Sequence, residues 1–471
     1  MTTTRGSLWR RASTVSRLFP QGPRSTGFAG LFGDMRTFAT EFAGNVVRRF
    51  GWAFADQLLS SGTNFLLGVL VARTVGVRDL GAFSVAYATF TFSLGGVRSV
   101  ASELLVIRHG ALPAQEWRDG IKRSTGTALL AGIIIGAGSL IAAVMLRGAV
   151  GAVLTILGVS LPFLLVQDVS RFALLARERG AAAFLSDAAW AAVMFTAFAL
   201  LKEAGVASVT WFTFSWAGAG CVAAVVGLLQ LKVLPCGPIT AIRWLRGHSD
   251  IAPRFLAEFA ITTGVSTVTV FAIGGIAGLG ELGRLQAAQV LLGPLNIMFG
   301  GVGLVATAEG VRQLRDSPRR LAQDCRWLSL ALTTGVLAWG MIVVVVPRSI
   351  GESVLRTNWD AGRSLVVPLL IAFAGYASTF GASIGLHCLA AARRILRTNC
   401  IEAVLTLFFG LTGAYLAGAK GGAWGFAVAG LLKGVNAWWQ FSRALREYEG
   451  RSEAGGAGPK VNADYLPQVA G

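Results

Sequence analysis

The sequence predicts an all-α integral membrane protein with twelve transmembrane helices. Hydrophobic residues make up 54% of the 471 positions and charged residues only 14%, and the mean hydropathy is +0.61. Twelve long apolar segments follow one another, and the loops between them alternate between Arg-rich and Arg-poor. Because a segment of about 20 apolar residues crosses a ~30 Å hydrocarbon core, and the backbone in lipid must satisfy its own hydrogen bonds, each segment is predicted to be a spanning helix.

The twelve predicted spans leave only short connections. They are placed at about 50–72, 80–107, 124–146, 149–170, 180–201, 207–231, 254–276, 282–310, 326–347, 364–391, 397–418 and 422–443.

The distribution of cations predicts the orientation. The N-terminal tail and every second loop after it hold 31 of the 42 Lys and Arg residues, whereas the opposite loops hold nine. Cytoplasmic loops carry the excess of Lys and Arg, so both termini are expected in the cytosol of a bacterial plasma membrane. The net charge of +18 then favours anionic membrane lipids as partners, and no soluble basic domain for nucleic acid is predicted.

The two ends of the chain and the cysteines predict no further chemistry. Residues 1–45 are rich in Ser, Thr, Arg and Gly and nearly free of acids. That composition is compatible with an organelle transit peptide, but we expect a disordered basic cytosolic tail. Residues 446–471 are predicted to be a second disordered tail. Five scattered cysteines form no CxxC pair or Cys/His cluster, so neither a metal site nor a disulfide is expected.

A gapless internal repeat relates the two halves of the chain. A shift of 202 residues aligns Ala55-Asp56 with Ala257-Glu258 and Asp79-Leu80-Gly81 with Glu281-Leu282-Gly283. Six spans per half is an even number, so both halves enter the membrane in the same orientation. Transporters built from such parallel repeats bind their substrate between the two lobes.

The repeat sets the predicted domain boundaries. Residues 46–233 form an N-lobe with helices 1–6, and residues 254–445 form a C-lobe with helices 7–12. Residues 234–253 link the lobes in the cytosol. Within this linker, Ile239, Ile242 and Leu245 recur at helical spacing beside Arg243 and Arg246, a pattern that predicts an interfacial helix.

Four stretches near the N-terminus resemble a known family. They are FGWAFADQ at 50–57, Asn64, LVARTVG at 70–76 and DLGAF at 79–83. Together they resemble the start of the polysaccharide flippases, the O-antigen and exopolysaccharide branch of the MOP exporter superfamily. That superfamily also contains the MATE drug exporters and the lipid II flippases. The resemblance at the level of motifs covers about residues 50–110.

The resemblance implies a fold and a function. The expected fold is MOP/MATE-like, with two pseudo-symmetric six-helix lobes around a basic central cavity. The expected function is to flip an undecaprenyl-pyrophosphate-linked oligosaccharide to the outer leaflet by alternating access, for cell-surface polysaccharide biosynthesis. A polysaccharide polymerase or glycosyltransferases are the implied protein partners, and no cofactor is implied. Lipid II flippases typically carry fourteen spans, and twelve are predicted here.

Cations inside the membrane are the first candidate site residues. Arg98 and Lys433 are the deepest cations in the predicted helices, roughly 13 and 15 Å from the cytosolic ends. A buried cation is costly and needs an anion, which is either a substrate phosphate or acidic sugar, or an internal carboxylate. Arg73 lies at the periplasmic end of the first helix, as an interfacial anchor or a release-site cation.

Acidic residues near the cytosolic ends are candidates for gating or ion coupling. Asp56 is predicted to pair with Arg98 and to release it when a substrate phosphate binds. Glu258, the repeat partner of Asp56, is a candidate for a coupling proton or sodium ion. Asp187 either joins this group or is a hydrated carboxylate favoured by its helix dipole.

Three amides complete the predicted site: Asn64, Gln289 and Asn296 are candidates for hydrogen bonds to sugar hydroxyls. The alternative role of intramembrane amides is to bond neighbouring helices.

Other functions remain as alternatives. A MATE-type efflux antiporter is expected to have acids dominating over cations in its cavity, and a flippase-like scaffold needs no transport path. No nucleotide-binding or catalytic motif occurs, and the longest periplasmic loop contains only two acids, so an enzyme is not expected.

Overall fold

The structure is a computed structural model that describes residues 51–52, 54–299, 302, 306, 310, 314 and 318–453. The predicted tail at residues 1–45 lies outside the described residues. The described residues from Ala55 onward form a compact unit, and all features below belong to it.

Six long helices form the first half of this unit, with short connections. They are α1 (residues 55–74), α2 (Val77–His109), α3 (Ala114–Leu146), α4 (Gly148–Ala176), α5 (Gly180–Glu203) and α6 (Val209–Leu231).

The second half starts with a short helix and ends with a very long one. The elements are α7 (Pro238–Gly247), α8 (Ala252–Ala277), α9 (Leu279–Leu291) and α10 (from residue 293), then α11 (Pro318–Val345), α12 (Arg348–Leu355), α13 (Asn358–Cys388) and α14 (Ala392–Glu453).

In the described part of the chain, nine helices are long and apolar enough to cross a membrane. Helix α14 counts once among them, although Ala417 and Gly418 have non-helical dihedrals that interrupt it. The interruption coincides with the predicted boundary between the last two spans, so this boundary is confirmed. The total of twelve spans stays a prediction.

The connections, taken together with the helix turns that flank them, define two ends of the helix bundle by their Arg content. The Arg-rich end contains the connections at 110–113, 177–179, 232–251 and 389–391. The Arg-poor end contains those at 75–76, 204–208, 346–357 and 417–418.

Two helices contain one π-helical turn each. In α2 the π-turn covers Arg98–Ser102, and in α8 it covers Ala260–Gly264. A π-turn adds a residue to the local winding and is frequent at functional sites. The turn in α2 begins at the cation that the sequence selects as a site residue.

Small residues allow close packing of α3 against α4. A Cβ atom at Gly132 would overlap the backbone of Pro162, and one at Gly136 would overlap the carbonyl of Gly158. Helices α3 and α4 therefore approach each other backbone to backbone at these two positions.

Two segments differ from or refine the predicted boundaries. The predicted disordered tail starts at residue 446, but α14 is helical to Glu453; that part of the prediction is wrong, and residues 454–471 lie outside the described residues. The predicted linker at 234–253 contains the expected helix, which is α7.

Candidate functional site

Helices α2 and α4 bring a cation and a carboxylate together inside the bundle. Arg98 donates two hydrogen bonds to Asp168, from Nε to Oδ2 at 2.9 Å and from Nη2 to Oδ1 at 2.7 Å. Its guanidinium also lies over the ring of Phe172, 4.9 Å from the centroid. The Arg98 side chain nevertheless keeps 34% of its surface exposed. This fork geometry is the one with which arginine binds carboxylates and phosphates.

A second group of ion pairs lies beside the first and joins α1, α4 and α5. Arg171 contacts Asp56 Oδ2 at 2.5 Å through Nη2 and Asp187 Oδ2 at 3.2 Å through Nε. The other oxygen of Asp187 accepts a hydrogen bond from Gln167 at 2.9 Å. Asp56 is 0% exposed and Arg171 6%. The triad of Asp56, Arg171 and Asp187 is therefore held away from water.

The predicted Asp56–Arg98 pair is wrong. Arg98 binds Asp168, and Asp56 binds Arg171. The reason is the length of α4, which the sequence ends near residue 170 but which continues to Ala176. Arg171 therefore lies in the helix rather than in a loop, one turn after Asp168 on the same face.

The environment of Asp187 also excludes the interpretation as a hydrated carboxylate. Its side chain is buried and both of its oxygens have partners in α4. Helix-dipole stabilisation alone therefore does not account for this residue.

The formal charges of these residues do not cancel. The carboxylates of Asp56, Asp168 and Asp187 face the guanidinium groups of Arg98 and Arg171, which leaves one excess negative charge. Asp56 Oδ1 is buried and has no hydrogen-bond partner among the described residues. Since an unpaired buried charge is costly, the triad is a place where one proton or small cation is favourable.

Lys433 lies in a separate cluster formed by α13 and α14. Its ammonium group is 2.5 Å from Glu402 Oε1 and 4.8 Å from the centre of the Tyr376 ring. Lys433 is 8% exposed. The ring of Tyr376 packs edge-on against Phe299, with centroids 5.1 Å apart. Lys433 is therefore a buried cation that lies beside the aromatic ring of Tyr376.

The remaining predicted residues do not join these clusters. Arg73, Asn64, Glu258 and Asn296 are exposed, and Gln289 is half-buried. None of these five takes part in the ion pairs of Arg98, Arg171 or Lys433. Asp56 and Glu258 thus have different surroundings although the repeat aligns them.

At the Arg-poor end, the repeat-related glycines Gly81 and Gly283 meet. A Cβ atom at Gly81 would overlap the carbonyl oxygen of Leu279, and one at Gly283 would overlap the carbonyl oxygen of Val77. The contact is reciprocal, as expected for two equivalent positions on α2 and α9. The first turns of these helices therefore lie backbone against backbone.

Asn358 adds hydrogen bonds next to this contact. From the first residue of α13, its amide Nδ2 donates to the carbonyl oxygens of Ala72 at 2.6 Å and Val75 at 2.8 Å, both at the end of α1. Asn358 is 1% exposed. We call Gly81, Gly283 and Asn358 the Arg-poor latch, because they join the two halves of the chain at this end.

These helices and their packing define an all-helical membrane protein with a MOP/MATE-like fold. No family model and no curated protein sequence matches the chain. The fold assignment rests on solved structures.

Three solved structures illustrate the similarity. An inward-facing multidrug resistance MATE family transporter of the MOP superfamily has a TM-score of 0.60 at 14% identity, covering 83% of this chain and 96% of its own. The lipid II flippase MurJ, in an inward closed conformation, has a TM-score of 0.63 at 11% identity, covering 88% and 94%. A MOP superfamily transporter from Pyrococcus furiosus, described as having a binding pocket of reverse polarity, has 0.56 at 13%, covering 85% and 96%.

Proposed function

We propose that this protein is a flippase that carries a lipid-linked oligosaccharide across the plasma membrane by alternating access. The observation that carries the proposal is the geometry of Arg98. Its guanidinium fork is already arranged around a carboxylate, Asp168, and still has 34% of its surface exposed. A pyrophosphate has the same bidentate acceptor geometry as a carboxylate and more charge. Substrate phosphate can therefore replace Asp168 as the partner of Arg98 without leaving the guanidinium unpaired.

Lys433 supplies the second predicted contact. Glu402 neutralises it in the same way, and the Tyr376 ring offers an apolar surface beside it. A cation next to an aromatic ring suits a phosphate attached to a sugar or an isoprenoid. Arg73, Asn64, Gln289 and Asn296 remain predicted contacts along the path.

The proposal includes the finer architecture. Twelve spans result when α1, the pair α9–α10 and the two parts of α14 are each counted as crossings. The lobes are then residues 46–233 and 254–445, with the Arg-rich end and both termini in the cytosol. In this orientation the Arg-poor latch closes the periplasmic side.

The Asp56–Arg171–Asp187 triad is the proposed coupling site. One proton on the carboxylate of Asp56 or Asp187 cancels the excess negative charge of the buried group. Glu258 is exposed and remains a second candidate for a proton or sodium ion. Coupling at the triad predicts that flipping depends on a proton gradient.

The same negative charge favours a second candidate function, a proton-coupled efflux antiporter of the MATE type. In that case a cationic drug competes with the proton at the triad, and Arg98 is a structural ion pair. The two functions differ in the charge of the substrate that the protein moves. A scaffold role in envelope synthesis, with a polymerase or glycosyltransferases as partners, predicts no movement of either substrate.

The test is flipping of a fluorescent undecaprenyl-pyrophosphate oligosaccharide in proteoliposomes. Native protein is compared with Arg98→Ala, Arg98→Lys and Lys433→Ala, and with Arg348→Ala as a control at an exposed cation outside the cluster. We expect Arg98→Ala and Lys433→Ala to lose at least tenfold in rate, the loss of one charged hydrogen-bonded contact of about 1.5–3 kcal/mol. Arg98→Lys is expected to lose less, and Arg348→Ala to behave as native.

Two outcomes contradict the proposal. Equal rates in all folded variants mean that Arg98 and Lys433 do not contact the substrate. If native protein moves no lipid-linked glycan but exchanges a cationic dye for protons, the antiporter is correct instead.

A further inference from the structure

Helix α7 presents one exposed face that combines apolar and basic side chains. Ile239, Ile242, Arg243 and Arg246 follow the i, i+3, i+4, i+7 spacing of a single helix face, and all four are exposed. Ile239 has 66% and Ile242 has 41% of its surface exposed. No acid occurs within Pro238–Gly247. Such a face matches the boundary between acyl chains and anionic headgroups.

The opposite face of α7 is fixed to the bundle through Trp244. Trp244 is buried, and its ring lies 4.9 Å from that of His109 and 4.2 Å from that of His248, measured between centroids. Its indole Nε1 donates a hydrogen bond to the carbonyl oxygen of Val100 at 3.3 Å. The helix is therefore anchored on α2, which fixes the direction of its exposed face.

The anchor point is part of the π-turn that carries Arg98. Val100 lies in the middle of Arg98–Ser102, and such a π-turn is rare in proteins. The hydrogen bond from Trp244 to the carbonyl oxygen of Val100 is a contact that stabilises this turn. The position of α7 is thus linked to the backbone from which the Arg98 side chain extends toward Asp168.

We propose that α7 docks on anionic phospholipid headgroups of the cytosolic leaflet, and that docking stabilises the π-turn of Arg98 through Trp244. The docking part is independent of the function proposed above, whereas its effect on transport rests on that function. Charge complementarity selects the partner, because two arginines and two isoleucines share one face without an acid. Each arginine near an anionic surface strengthens docking about fivefold.

Spin labels measure the docking directly. Cysteines replace Ile239, Ile242 or, as a water-exposed reference, Ser249, in a variant without the five native cysteines. The labelled protein is reconstituted in phosphatidylcholine vesicles with or without about 30% phosphatidylglycerol, a fraction chosen to give an anionic surface. With the anionic lipid, we expect collisions with oxygen to exceed those with a water-soluble nickel chelate at 239 and 242, but not at 249.

A matched pair of charge variants tests the role of the arginines. Arg243→Gln with Arg246→Gln is expected to weaken docking roughly 25-fold, the product of the two contributions. Arg393→Gln with Arg397→Gln removes two exposed cations of α14 at the same end and is expected to leave docking unchanged. If the labels at 239 and 242 are as accessible to water as the label at 249 in anionic vesicles, the proposal is wrong. Equal depth in neutral and anionic vesicles overturns its electrostatic part.

Hydrogen exchange tests the link to Arg98 without a transport assay. Anionic lipid is expected to slow exchange of the amides at 98–105 in native protein and in the α14 control, but not in Arg243→Gln with Arg246→Gln. Trp244→Phe keeps an aromatic side chain but loses the indole N–H donor, so docking should persist while the protection at 98–105 no longer responds to lipid. A response in Trp244→Phe equal to that of native protein overturns the link. If flipping also fails while docking and protection respond, the proposed substrate is wrong rather than α7 docking.

Discussion

Replacing Gly81 by alanine tests whether the Arg-poor latch opens and closes during function. The added Cβ atom meets the carbonyl oxygen of Leu279 well inside the ordinary contact distance of 3.4–4 Å. The atoms that it meets, the carbonyl group of Leu279 and the amide nitrogen of Gly283, belong to the backbone of α9, so no side chain can move aside. Helices α2 and α9 must separate by roughly 1 Å or more to restore normal packing.

The structure gives a rough magnitude for this change. Overpacking a close contact costs about 1–3 kcal/mol, and the cost applies only to the state in which the latch is closed. The gain in helix propensity from Gly to Ala is the same in both states and cancels. The equilibrium is therefore expected to shift toward the open latch by about 5- to 150-fold.

Distances between two spin labels across the Arg-poor end, measured by double electron–electron resonance, report that shift. In a background without native cysteines, spin labels are placed at Lys202 and Ile350, which are exposed in the two halves of the chain. Native protein should give mainly the short distance of the closed latch. Gly81→Ala should populate a longer distance, and Gly283→Ala should do the same because the contact is reciprocal.

The control is Gly275→Ala, since a Cβ atom there has no neighbour within 4 Å. It should leave the distance distribution unchanged. If Gly81→Ala gives the native distribution in a folded protein, the latch is a static contact and the reasoning is refuted.

The other predictions use the same preparations. Asn358→Leu leaves two buried carbonyl groups without donors, at a cost of about 1–3 kcal/mol, and should also lengthen the distance across the Arg-poor end; an unchanged distribution contradicts its role in the latch. Arg171→Met strands two buried carboxylates and should lower stability by about 3–5 kcal/mol, seen as a lower melting temperature in detergent, whereas adding Asp56→Asn and Asp187→Asn should restore most of the loss. Glu281→Gln weakens the acceptor for the Ala419 amide at the break in α14. We expect the free energy of unfolding to fall by about 0.5–2 kcal/mol, as when a helix cap is lost, and the melting temperature to be slightly lower.

Apolar length and composition were sufficient to predict most of the helices. The apolar segments predicted long helices whose bounds differ from the observed ones mostly by a few residues, because a lipid-crossing length is a strong constraint. The alignment of Gly81 with Gly283 identified equivalent positions, and these two residues touch in the structure. The sequence did not indicate that contact, since glycine matches are common in a chain with 60 glycines.

The ion pairs were only partly predictable. Hydropathy ends a span where charges begin, so the span predicted at 149–170 leaves Arg171 in the following loop and assigns Asp168 no role. A usable signal existed: Asp168 and Arg171 are three residues apart, and such a pair shares one helix face. Which acid binds which arginine depends on how α1, α2, α4 and α5 pack. Asn358 was missed because a single amide at a helix start has no distinguishing pattern.

If the protein is the flippase proposed above, the pairing of Arg98 and Lys433 with acids determines how it binds and releases an anionic substrate. A bare cation in the membrane interior costs several kcal/mol, so an empty transporter with unpaired cations is unstable between transport cycles. Asp168 and Glu402 remove that cost. A substrate phosphate must displace the carboxylate from its cation, and the loss of that ion pair offsets part of the substrate's binding energy, so the substrate can leave again. Affinity is lower than for an open cationic site, but release on the far side is faster. The acids paired with Arg98 and Lys433 are therefore expected to set the rate of substrate release, so that Asp168→Asn should tighten substrate binding while slowing flipping.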